Sequence, residues 1–306
     1  MASTIYDQVT DKIISDLERG VRPWLRPWST KHGKAGNVMR PLRHNGLPYS
    51  GMNVLLLWWA SEEKGYSEPR WMTYKQASEL GAHVRRGEKG TSVVYASTFE
   101  KDNKDTGDKD KIFFLKTYVV FNVQQIENLP ARYFEAINDE PDGTVETGRD
   151  ERAEDFIAAS GADIRFGGDR AYYSPLDDYI RLPEFGAFDS AESFYGTALH
   201  ELAHWTGHAT RLARNFSGRF GDDAYAVEEL VAEMSAAFLC ADLGIEPEPR
   251  EDHAAYIQSW LTVLKADKRA VFTAASTAQR AADYLSKLAR VETANEPVAE
   301  PVENAA

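Results

Sequence analysis

The run His200-Glu-Leu-Ala-His204 sets two imidazoles four residues apart. On a helix that spacing puts both on one face, one turn apart, where they can grip a single cation. Glu201 follows the first histidine and projects beside the cation, where its carboxylate can take a proton from bound water. A divalent metal lowers the pKa of such a water to about 7, so hydroxide is available near neutrality. Chance would place these three residues in this order in roughly one chain in a hundred of this length. The implied chemistry is metal-assisted hydrolysis of a peptide. Zn2+ is the expected cofactor, with another divalent cation such as Mn2+ as the alternative.

A catalytic zinc usually takes three protein ligands and one water. His208 is one candidate for the third, but it follows Gly207, and the metzincin pattern needs a histidine where this chain has Thr210. Glu229 and Glu233 are better placed, one turn apart in Val227-Glu-Glu-Leu-Val-Ala-Glu233 at the start of an apolar helical stretch. One could ligate while the other orients a ligand histidine from behind. The spacing resembles the gluzincin arrangement, Glu-x-x-x-Asp/Glu, which implies Glu229 as the ligand and Glu233 as its support. Tyr225 and His208 are candidates to donate to an oxyanion.

A second chemistry is concentrated near the start of the chain. Five of seven tryptophans lie in the first 71 residues, among several arginines. Single-stranded nucleic acid is bound by this mixture, with aromatic faces for bases and cations for phosphates. The candidates are Arg22, Trp24, Arg26, Trp28, Arg40 and Arg43. Arg85, Arg86 and Lys89 form a second basic patch whose glycines would let backbone approach a phosphate. Packing against the first helix is the competing role for Trp24 and Trp28, and Trp58 and Trp59 sit in an apolar run that suits a core.

These groups need elements to hold them. Ile5, Val9, Ile13 and Leu17 recur every four residues and predict a helix over 3–19, capped by Ser3 and ended by Gly20. Asn45-Gly46 predicts a hairpin turn. Asn53 and Thr73 are candidate caps for helices over 54–61 and 74–81. Residues 91–99 and 112–123, rich in β-branched and aromatic side chains, predict strands around an exposed tip at 100–111. Beyond residue 150 the pattern predicts a helix over 151–160, then strands at 162–166, 171–174 and 179–182. Nearly all-helical sequence follows from residue 190. The strand at 179–182 precedes the metal-site helix, and resemblance to zincins implies that it is the edge strand that pairs with an extended peptide.

Residues 1–130 hold 19 Lys+Arg against 15 Asp+Glu, and residues 131–306 hold 16 against 33, so the overall charge of −13 divides as +4 and −17. Such asymmetry implies two domains with different partners, and the mixture of helices and strands makes the expected fold class α+β. The expected division is 1–135, a linker over 136–150, 151–290, and an acidic disordered tail over 291–306. The single Cys240 has no disulfide partner in the chain. No apolar run approaches the roughly 20 residues of a membrane span, and with no targeting segment visible the expected location is the cytoplasm.

Several segments together carry a family resemblance. They are Ile5-Tyr-Asp-Gln-Val9, Gly20-Val-Arg-Pro-Trp24, Asn53-Val-Leu-Leu-Leu-Trp58, Pro69-Arg-Trp-Met-Thr73, Val84-Arg-Arg-Gly-Glu-Lys-Gly90, Val120-Phe-Asn-Val-Gln-Gln-Ile126, His200-Glu-Leu-Ala-His-Trp-Thr-Gly-His208 and Glu228-Glu-Leu-Val-Ala-Glu233. Over residues 3–290 the chain resembles the ArdC antirestriction family of conjugative plasmids, including the related N-terminal region of TraC primases. That resemblance implies an N-terminal single-stranded-DNA-binding domain, a C-terminal zincin-like domain, and protection of incoming plasmid DNA from restriction. Two rival functions follow from the same residues: a dedicated protease cutting a regulatory or restriction-related protein, similar to the ImmA/IrrE type, and a non-enzymatic DNA-occluding or DNA-mimicking protein with a structural metal.

Overall fold

The computed structural model describes residues 5–24, 39–102, 109–134, 148–214, 222–246 and 254–295. Arg26, Trp28, Ser3 and most of the expected linker lie outside the described residues. The first helix, α1 (Ile5–Glu18), buries Val9, Ile13 and Leu17, the stripe set by the four-residue repeat. A short strand β1 (Leu42–Arg43) precedes the turn at Gly46, which has φ 84° as an Asn-Gly turn requires. Helix α2 is Met52–Lys64, strand β2 Arg70–Thr73, helix α3 Tyr74–Glu79 and strand β3 His83–Val84. Strands β4 (Thr91–Asp102) and β5 (Lys109–Asn122) form the long hairpin expected there, and β6 is Ile126–Glu127.

The main sheet has the order β1-β2-β5-β4, with β1 parallel to β2 and the remaining pairs antiparallel. Strands β3 and β6 make a separate ribbon. Thr73 caps α3 in a full capping box with Gln76. Asn53 does not cap α2, since the N-cap is Gly51. Its amide instead donates to the carbonyl of Val94 and accepts from the Val94 N–H, both at 2.8 Å, tying α2 to β4.

In the second half, α4 (Glu151–Ala158) is capped by Asp150. Strands β7 (Asp163–Phe166), β8 (Tyr172–Ser174) and β9 (Tyr179–Leu182) follow, then helices α5 (Ala191–Trp205), α6 (Asp223–Leu243), α7 (Ala254–Ala266) and α8 (Ala270–Asn295). Helix α8 runs five residues into the expected tail. The sheet order is β7-β9-β8, with β9 parallel to β7 and antiparallel to β8. This corrects the expected peptide-binding edge. The strand at 179–182 is central, its backbone is paired on both sides, and the free edges belong to β7 and β8.

The apolar core ignores the expected boundary near residue 140. Val9, Ile13, Leu17, Trp24 and several α2 side chains form one buried cluster with residues of α4 through α8. Helix α1 lies against α7, where the Thr10 hydroxyl donates to the Lys268 carbonyl (2.7 Å) and Asp11 pairs with Lys268 (2.6 Å). Smaller clusters around Trp71 and Met72 sit on the main sheet and its neighbours. Among the described residues no helix is long and apolar enough to cross a membrane.

A candidate metal centre at the meeting of two helices

Ser190 caps α5 by accepting from the Ser193 N–H, and the helix buries nearly everything from Thr197 to Trp205, His200, Glu201 and His204 included. Helix α6 crosses beside it and buries Glu228, Glu229 and Glu233 toward α5. Buried carboxylates are costly unless paired, and here their partners are the two histidines. His200 Nε2 and His204 Nε2 are 3.1 Å apart. Glu229 reaches both with different oxygens, Oε2 at 3.6 Å from His200 Nε2 and Oε1 at 3.4 Å from His204 Nε2.

These three residues form a cation-ready cluster among the described residues, with one donor atom from each lying within 4.8 Å of the others. Zinc–ligand bonds of about 2.0–2.1 Å in a tetrahedron put ligand atoms about 3.3–3.4 Å from one another. The two Nε2 atoms at 3.1 Å and the Glu229 oxygens at 3.4 and 3.6 Å from them lie near that value, so the donor set suits a divalent cation.

Each histidine is held from behind by a second carboxylate. His200 Nδ1 lies 3.1 Å from Glu233 Oε1, and His204 Nδ1 lies 3.1 Å from Glu228 Oε1. At His204 the Glu228 carboxylate is hydrogen-bonded to Nδ1, which turns the Nε2 lone pair toward the metal position. Burial works to lower the His204 pKa, but Glu229 and Glu228 outweigh it and raise it to about 10. Burial likewise works to raise the Glu229 and Glu228 pKa values. His204 prevails over it at both, with His200 adding to the effect at Glu229 and Arg214 at Glu228, so both carboxyls stay below the usual range.

Two of these supports were not legible in the sequence. Glu228 lies inside the acidic run, but only the crossing of α5 and α6 shows that it faces His204. Arg214, in the loop between those helices, forks onto Glu228 (2.8 and 2.9 Å), and also donates to Thr206 Oγ1 and the Ala203 carbonyl. It neutralises the extra carboxylate and closes the end of α5. Nothing local in the sequence marks it.

His208 is not part of the cluster. Its Nδ1 meets Thr210 Oγ1 at 2.9 Å and lies 3.9 Å from Asp178, on the loop leaving α5. Arg211 pins that loop by binding Asp178 and stacking on Trp205, 3.8 Å from the ring centroid. Tyr225 does reach the site: its hydroxyl is 3.2 Å from that of Tyr256 and hydrogen-bonds Glu229. Burial first, then the Glu229 charge, push its pKa far above the usual phenol value, so it remains an O–H donor.

The expected DNA contacts divide. Trp24 is 1% exposed, packs edge-on against Trp260, and donates its indole N–H to Glu233 at 3.2 Å. No base can stack on it, so this reading is corrected: Trp24 belongs to the support of the metal cluster. Arg40 is also corrected. It is 6% exposed and is engaged with Asp242 (2.7 Å) and Gln279 (2.9 Å) of the second half, unavailable to a phosphate. Arg22 is half-buried, while Arg43, Arg85, Arg86 and Lys89 are exposed. Arg85 is forked onto Glu88, at 2.7 and 3.2 Å. Gly90 serves packing: a Cβ there would meet Val119 Cγ1 at 2.3 Å and the Val120 carbonyl oxygen at 2.9 Å.

Comparison with known proteins gives two family matches. Residues 3–121 match the family described as the N-terminal domain of anti-restriction factor ArdC, and residues 151–277 match the zincin-like metallopeptidase family. The chain is similar to crystal structures of the antirestriction protein ArdC from plasmid R388, in metal-free form (TM-score 0.78) and Mn(II)-bound form (0.77), at 45% identity over 94% of this chain and 98% of that one. The chain belongs to the ArdC antirestriction family. An uncharacterized protein, y4eC, of Sinorhizobium fredii (strain NBRC 101917 / NGR234) is 41% identical over 92% of this chain and 91% of its own length. The DNA primase TraC of Escherichia coli is 39% identical over 92% of this chain, which spans only 27% of that protein. The α+β architecture and zincin-like domain of this ArdC-family protein are thereby established.

Proposed function

We propose that this ArdC-family protein binds single-stranded DNA and protects incoming plasmid DNA from restriction, and that its second half carries a metal-dependent peptide-hydrolysing site. The observation that carries the hydrolytic part is the convergence of His200 Nε2, His204 Nε2 and the Glu229 carboxylate, one donor atom from each within 4.8 Å of the others, beside buried Glu201.

When bound there, zinc or another divalent cation such as manganese supplies Lewis acidity and a water of pKa about 7. Glu201 would be the base that accepts a proton from the attacking water and delivers it to the leaving amine. Glu228 and Glu233 hold the imidazoles in the orientation that ligation needs. Tyr225 donates its hydroxyl proton to the developing oxyanion. The peptide would pair with a free edge of the small sheet, at β8 or β7.

The test compares wild type with Glu201→Gln in plasmid transfer to restricting and non-restricting recipients, alongside metal content and hydrolysis of an unstructured protein such as casein. Glu201→Gln is expected to keep its metal and lose hydrolysis by about 10²-fold or more. Undiminished hydrolysis would remove Glu201 as the base. The second reading, a DNA-occluding protein with a structural metal, is favoured by the −17 charge of residues 131–306. It predicts that transfer protection survives Glu201→Gln.

A further inference from the structure

A cleft of about 1310 Å³ lies away from the metal cluster, between the main sheet and α8. Both halves build it. Arg43 comes from the β1 turn, Tyr95 from β4 and Tyr118 from β5, while Arg269, Phe272 and Arg280 come from the residue before α8 and from α8 itself.

Its chemistry departs from that of the rest of the protein. The chain carries 48 acidic residues, yet no Asp or Glu is among the described residues lining the cleft. Arg43, Arg269 and Arg280 are exposed. Their contacts are with an aromatic face or a hydroxyl: Arg43 over Tyr49, Arg269 over Tyr6, and Arg280 to Thr277 Oγ1. Among the described residues no carboxylate pairs with any of them. Tyr95 and Tyr118 are 51% and 47% exposed and sit side by side, ring centroids 6.3 Å apart. They are diagonal neighbours on one face of the hairpin, because Tyr118 pairs with Val93.

Uncompensated cations flanking exposed rings match a strand that offers phosphates and unstacked bases together. The DNA-binding surface expected in the first half loses Trp24 and Arg40 to the interior, and the cleft provides replacements for both chemistries. We infer that single-stranded DNA lies in this cleft, with bases on Tyr95 and Tyr118 and phosphates on Arg43, Arg269 and Arg280. The inference rests on the single-stranded-DNA reading above and adds that the zincin-like half supplies two of the three phosphate contacts.

The test measures binding of fluorescent oligo-dT to the full chain over a range of salt concentrations. The variants are R269Q/R280Q, Tyr118→Ala, R85Q/R86Q and, as a control for surface charge, Lys75→Gln. Each single-strand phosphate contact contributes about 0.7 to the log–log salt slope. R269Q/R280Q should therefore flatten the slope by about 1.4 and weaken binding about 25-fold at 0.1 M salt. Tyr118→Ala should weaken binding about tenfold, the scale of one lost base stack. Lys75→Gln should change neither. All replaced side chains are exposed, and unchanged melting temperatures establish that the variants are folded.

If R85Q/R86Q flattens the slope and R269Q/R280Q does not, the cleft is overturned while single-stranded-DNA binding stands. If the wild type binds duplex of the same length as tightly as the single strand, the cleft assignment falls. If the wild type binds no oligonucleotide, the underlying reading fails with it.

Discussion

Replacing Trp24 by Phe separates its two possible roles. The substitution keeps a ring against Trp260 but removes the indole N–H that Glu233 accepts at 3.2 Å. A buried hydrogen bond to a charged group is worth about 1.5–3 kcal/mol. The volume left unfilled adds about 1 kcal/mol, at about 24 cal/mol per Å³. Together these predict a loss of about 2.5–4 kcal/mol, read as a lower urea midpoint at unchanged m-value. Glu233 orients His200, so affinity for Zn2+ or Mn2+ should also fall, by about tenfold, the low end for groups behind a ligand. Oligo-dT affinity should not change. Loss of DNA binding with stability altered by less than about 0.5 kcal/mol would refute the assignment and return Trp24 to the DNA surface.

Further expectations concern the metal and the joint between the halves. Saturating metal at about 100 times its Kd should stabilise the protein by about 2.7 kcal/mol, an increment that EDTA removes and that Glu229→Gln should abolish. Calorimetry with and without chelator checks it. Glu228→Gln should keep the metal but bind it about 10–100-fold more weakly, measured by competition with a chromogenic chelator; unchanged affinity would mean that His204 needs no support from behind. Arg40→Met should destabilise the fold by about 2–3 kcal/mol through the lost contacts to Asp242 and Gln279. Adding Asp242→Asn should return part of that loss. Gly90→Ala should cost about 1–3 kcal/mol in urea unfolding, because Val119 and the Val120 backbone must move.

The legible parts of this protein are those governed by local spacing. Four-residue intervals suffice to put His200 beside His204 and Glu229 beside Glu233, because a helix turns in 3.6 residues whatever surrounds it. The α1 stripe, the Thr73 cap, the Asn45-Gly46 turn and the long hairpin follow for the same reason: each is decided within a few residues of chain. Composition was a weaker guide. An Arg-Pro-Trp sequence has the chemistry of a DNA contact, but chemistry does not say which way a side chain faces.

Only tertiary packing decided that Trp24 and Arg40 point inward, toward Glu233 and Asp242, more than 200 positions away in the chain. It decided that β9 is central rather than an edge, which depends on where β8 and β7 dock. It also decided which carboxylate serves which histidine. Glu228, Glu229 and Glu233 look alike in sequence, and the crossing of α5 and α6 distributes them to His204 Nδ1, to both Nε2 atoms, and to His200 Nδ1. Arg214 entered for the same reason: a buried acidic cluster with more carboxylates than the one that ligates has to be neutralised by whichever cation the loop brings within reach.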